Sequence, residues 1–100
     1  MENFVKVADE KDIMPGQGMT VDVNGEEVAL FNVGGSFYAI SNTCPHRNGS
    51  LGDGTLENDV VTCPLHGWQF NVKTGESPLM PARVSSYKVK VENGEIFVSL

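Results

Sequence analysis

The stretch Tyr87-Lys88-Val89-Lys90-Val91-Glu92-Asn93-Gly94-Glu95-Ile96-Phe97-Val98-Ser99-Leu100 decides the fold class. Tyr87, Val89 and Val91 alternate with Lys88, Lys90 and Glu92, and after Asn93-Gly94 the alternation resumes as Ile96, Val98 and Leu100. Side chains of a strand point to opposite faces in turn, so this is the pattern of two half-buried strands. Asn-Gly between them is the two-residue turn whose backbone twist suits an antiparallel hairpin. Upstream, Asn24-Gly25 joins Met19–Val23 to Glu26–Val33, Gly34-Gly35 leads into Phe37–Ser41, and Phe4–Val7 supplies a further strand. Asp9–Gly18, with Pro15 and two glycines, reads as a loop or a single helical turn. No long helical period appears. The expected fold is all-β, an antiparallel sandwich or partly open barrel.

With 100 residues and 40% hydrophobic content, the chain is expected to form one domain around one small core. No apolar run approaches the length of a membrane span. Met1-Glu2-Asn3-Phe4-Val5-Lys6-Val7 has neither a basic n-region nor an apolar h-region, so a cytoplasmic location is expected. A formal charge of −6 argues against nucleic acid, which is bound by clustered Lys and Arg, and favours a basic protein partner.

Both cysteines and both histidines fall in two short segments, Cys44-Pro45-His46 and Cys63-Pro64-Leu65-His66, separated by sixteen residues. A disulfide would account for the two cysteines but not for a histidine two or three residues after each, and a reducing cytoplasm would keep it open. The surrounding stretch, 42–82, also holds four of the five prolines. Outside Val60-Val61 and Trp68–Val72 it has few apolar residues, so it reads as an inserted subdomain that needs a metal or cluster staple. Two thiols and two imidazoles on converging turns suit either one tetrahedral zinc or a 2Fe-2S centre with both thiolates on one iron and both imidazoles on the other.

The residues Cys44-Pro45-His46-Arg47 and Cys63-Pro64-Leu65-His66-Gly67-Trp68, with Gly52-Asp53-Gly54, Phe70 and Thr74-Gly75, resemble the Rieske ferredoxins and the Rieske domains of ring-hydroxylating oxygenases. The resemblance implies one Rieske-type 2Fe-2S cluster, with Cys44 and Cys63 on the buried iron and His46 and His66 on the outer one. Zinc knuckles instead carry Cys-x-x-Cys or a helical His pair, which this chain lacks.

Respiratory members of the family add a Cys to each segment and place Ser and Tyr hydroxyls against the sulfurs. Here those positions read Gly49, Leu65, Trp68 and Phe70. Fewer hydrogen bonds to sulfur stabilise the added electron less, so the resemblance implies a potential near the bottom of the Rieske range, which runs from about −150 to +300 mV. Trp68 and Phe70 are expected to pack beneath the cluster. Gly49 and Gly67 are expected to allow amide groups near the sulfurs, and Pro81-Ala82 resembles a shielding proline loop. Arg47 reads as a docking residue or a surface charge, and Asp53, Glu57 and Asp59 as an acidic rim or a solvated face.

Fully ligated iron leaves no open position for substrate. With both histidines committed there is no facial triad, and there is no Gly-rich nucleotide fingerprint. The expected function is therefore not catalysis but one-electron transfer from a flavin-dependent reductase to a terminal oxygenase or similar enzyme, by a monomeric carrier. The alternatives are a small Rieske-like subunit of a nitrite reductase-type complex and a zinc-stapled interaction module.

Overall fold

In a computed structural model, residues 4–43, 49–65, 67–78 and 81–99 are described. The strands are β1 (Val5–Asp9), β2 (Gly18–Val23), β3 (Glu26–Val33), β4 (Ser36–Ser41), β5 (Thr55–Glu57), β6 (Val60–Thr62), β7 (Gln69–Asn71), β8 (Ser86–Glu92) and β9 (Glu95–Ser99). Every ladder is antiparallel. No α-helix occurs among the described residues; short 3-10 turns occupy Glu10–Asp12 and Leu51–Asp53.

The three anticipated hairpins form. Their central residues all take positive φ, at Asn24 and Gly25 (52° and 91°), Gly34 and Gly35 (61° and 99°), and Asn93 and Gly94 (52° and 78°). That geometry matches the right-handed twist of the flanking strands, which is why Asn-Gly and Gly-Gly stand there. The strands join in the order β1-β9-β8-β4-β3-β2. The end strands β1 and β2 lie against each other, so the sheet curls into the expected partly open barrel.

A second sheet, β5-β6-β7, lies wholly within 42–82 and was not anticipated as strands. Leu51, Val61, Phe70 and Val72 are fully or almost fully buried, and they share a core with Ala29, Phe31 and Ile40 of β3 and β4. The apolar area that the segment lacks on its own comes from the barrel wall.

β3 therefore has two inner faces. Val28 and Leu30 point into the barrel with Val21, Val23, Ala39, Ile96 and Val98, while Ala29 and Phe31 point at the small sheet. This burial on both sides explains the unbroken apolar run Val28-Ala29-Leu30-Phe31, where a strand with one wet face would alternate.

Candidate metal centre

Of the four candidate ligands, Cys63 lies within the described residues; Cys44, His46 and His66 lie outside them, as does Arg47. Cys63 follows β6 directly and is 2% exposed, in the core that the two sheets share. It is not in a disulfide. Its amide donates to the carbonyl of Trp68 at 2.7 Å, and its carbonyl accepts from the amide of Gly67 at 3.1 Å. The chain from 63 to 68 is thus a closed turn. Gly67 sits in it at φ 74°, a conformation that a side chain would strain.

The expectation for the two glycines divides. Gly67 is required for its backbone angle, and its amide is committed to the Cys63 carbonyl rather than to sulfur. Gly49 is required for space: a β-carbon there would lie 2.7 Å from Cys63 Sγ and 3.3 Å from Leu65 Cδ1. Gly49 and Leu65, the two positions where respiratory members carry their extra cysteines, are therefore neighbours.

Phe70 is fully buried in the same core as Cys63, and Trp68 and Ala82 pack against that core. The expected aromatic mass is present, beneath Cys63. The proline-containing segment is a narrow loop closed in three places: Val84 N–H to Gly75 O at 2.7 Å, an antiparallel bridge between Glu76 and Arg83, and Ser77 N–H to Ala82 O at 2.9 Å. Leu65 is 57% exposed, a large apolar side chain facing solvent.

Of the expected acidic rim, Asp53 and Glu57 are exposed, but Asp59 is structural. Its carboxylate accepts from Asn71 Nδ2 at 3.3 Å and its carbonyl from Val72 N–H at 2.8 Å.

Sequence reasoning missed the support of the first ligand segment. Thr43 and Ser50 form an antiparallel bridge around residues 44–49, and the buried Asn42 side chain bonds to Thr20, Ser50 and Gly52.

The residues fit a 2Fe-2S group in the donor set. One thiol is held in an apolar, water-excluded core, as a buried iron needs, and the Gly49 position leaves the sulfur approachable.

The chain matches the Rieske [2Fe-2S] domain over residues 3–93. It is 46% identical over 92 residues to the 3-phenylpropionate/cinnamic acid dioxygenase ferredoxin subunit of Shigella flexneri serotype 5b, covering 89% of this chain and 86% of that protein. A chain in the solved complex of reduced oxygenase and oxidised ferredoxin in carbazole 1,9a-dioxygenase superposes with a TM-score of 0.89 at 38% identity, covering 96% of this chain and 92% of that one. The putative NADH-dependent nitrite reductase small subunit of Mycobacterium tuberculosis shares the fold, with a TM-score of 0.92 at 24% identity over 100% and 96% of the two chains. The relative at 46% identity is named a ferredoxin, whereas the nitrite reductase subunit is alike in fold alone, and zinc has no support in these likenesses. From the match to its cluster-binding domain and from these ferredoxin relatives, the chain belongs to the Rieske [2Fe-2S] domain family, among its small electron-carrying ferredoxins.

Proposed function

We propose that this chain is a cytoplasmic, monomeric one-electron carrier between a flavin-dependent reductase and the terminal oxygenase of a ring-hydroxylating dioxygenase. On this reading Cys44, His46, Cys63 and His66 hold the cluster, within one domain whose cluster-binding part spans about residues 42–82. The observation that carries it is the buried Cys63 thiol in its closed 63–68 turn, with Gly49 against the sulfur. Bound on those four ligands, a Rieske-type cluster supplies one-electron exchange at irons with no vacant position.

The chain's own residues do the rest. Phe70, Val61 and Val72 keep water from the Cys63 side, and the hydrogen bonds of Gly67 and Trp68 fix the thiol's backbone. Phe70 has no hydroxyl to offer a sulfur, and Gly49 and Leu65 cannot form a disulfide. Their absence supports a potential near the low end of the range. Leu65, exposed within the second ligand segment, provides an apolar point of contact for a partner.

Electron paramagnetic resonance of the dithionite-reduced protein tests the reading. The expected spectrum has the low average g of imidazole-ligated iron; an all-thiolate spectrum or silence would overturn the ligand assignment. A midpoint potential well above zero would overturn the low-potential reading. Elution of the native protein in a large complex would favour the subunit alternative.

A further inference from the structure

Thr20, Asn42 and Ser50 close a ring of hydrogen bonds at the base of the first ligand segment. Asn42 precedes Cys44 along the chain, Ser50 follows His46, and Thr20 comes from β2, a strand without ligands. The Asn42 amide donates to Ser50 Oγ at 3.1 Å, and the Thr20 hydroxyl donates to Asn42 Oδ1 at 3.1 Å. Thr20 Oγ1 and Ser50 Oγ lie 3.2 Å apart. Ser50 Oγ also donates to Asn42 Oδ1 at 3.3 Å. With the Thr20 proton given to Asn42, the single Ser50 proton is shared between Asn42 Oδ1 and Thr20 Oγ1, so the three side chains form one hydrogen-bonded ring.

Two further features fasten it. Gly52 N–H donates to Asn42 Oδ1 at 2.7 Å, and Asn42 is 3% exposed. A β-carbon on Gly52 would meet the backbone of Met19 and Thr20 at 2.9 Å, so the return of the segment is laid directly on β2.

We propose that Thr20, Asn42 and Ser50 form a clasp that positions the segment carrying Cys44 and His46, so that a hydroxyl on β2 controls how firmly the cluster is held. The proposal rests on the ligand assignment above. Asn42, Thr20 and Ser50 are positioning residues, acting through the backbone they join.

Thr20→Val keeps the side-chain shape and removes one link. In the purified holoprotein it should bleach roughly fivefold faster under an iron chelator, the effect of losing one net hydrogen bond while Asn42 keeps its bonds to Gly52 and Ser50. Its reduced resonance spectrum should broaden, because the ligands are held less uniformly. Thr20→Ser restores the hydroxyl and should restore both. Ser50→Ala breaks the same ring, so the double variant should bleach little faster than either single one. Bleaching of Thr20→Val at the wild-type rate with an unchanged spectrum, failure of Thr20→Ser to rescue, or multiplying effects in the double variant would overturn the clasp. Failure of the ligand assignment looks different: wild-type protein that purifies without iron, or Cys44→Ser with an unaltered spectrum, would overturn it whatever the clasp variants do.

Discussion

Gly49 lies so close to Cys63 that a β-carbon on it would stand 2.7 Å from the sulfur, well inside contact distance. A residue that follows the first Cys-His segment thus sets the room available to the cysteine of the second. Gly49→Ala should lower the iron content of the purified protein and cost about 1–3 kcal/mol of stability, the range for overpacking a tight site. Iron per chain and the thermal midpoint measure the two effects; wild-type values for both would show that the site gives way freely.

Gly75 and Gly16 separate two costs of a side chain. Both take positive φ, 83° and 86°, but a β-carbon at 75 collides with the Val84 carbonyl, whereas nothing lies within 4 Å of one at 16. Gly16→Ala should therefore cost only the left-handed strain of about 1–2 kcal/mol. Gly75→Ala should cost about 1–3 kcal/mol more, because the carbonyl that it strikes must move. Denaturant unfolding of the pair measures the gap, and equal losses would remove the steric argument.

Phe70→Ala should destabilise the protein by about 3–5 kcal/mol, since the ring is fully buried between the sheets. The loss should weaken cluster retention as well, because the same core encloses Cys63. A large fall in stability with unchanged resistance to chelators would separate the two.

Lys6 joins β1 to β9 by an ion pair to Glu95 at 2.8 Å, and pairs within β1 with Asp9 at 3.3 Å. Its hydrogen bond to Glu95, then that to Asp9, holds its pKa above the ordinary lysine value. A raised pKa means that the folded state holds the proton more tightly than the unfolded chain does. The contribution is complete below about pH 10.4, the usual lysine value, and fades as pH rises through the folded-state pKa. Thermal midpoints from pH 8 to 11 should fall less steeply in Lys6→Met than in the wild type. The pair lies at the surface, within reach of solvent ions, so the difference should shrink with added salt.

With a formal charge of −6, the carrier should exchange electrons with a basic partner faster at low ionic strength. Stopped-flow rates between about 0.02 and 0.5 M salt, spanning Debye lengths that reach across the contact and lengths that do not, would show it. A flat profile would mean that apolar contacts such as Leu65 dominate the encounter.

Much of this was legible in the sequence, for physical reasons that also mark where legibility ends. The β8–β9 hairpin could be read because seven and five residues are enough for alternation to show, and because Asn93-Gly94 has one favoured turn. Strands β5, β6 and β7 have three residues each, too few for any period, and they are specified by partners that no local pattern displays. Cys63 announced itself through residue type and spacing. Asn42, Thr20 and Ser50 did not, since polar residues of those types are common at turns and their ring joins positions far apart in sequence. The 42–82 stretch was read as short of core because the area that buries it belongs to β3 and β4.

The double burial of β3 has a consequence for variation in this chain. Scanned position by position, most of its strands would tolerate charge at every second residue. From Val28 to Asn32 no position would: Val28 to Phe31 are each pressed by one layer or the other, and the buried Asn32 side chain is bonded to the Ile13 carbonyl and the Gly35 amide. A selection experiment on folding alone should reveal the two-layer architecture as a single five-residue block of intolerance, with no reference to iron.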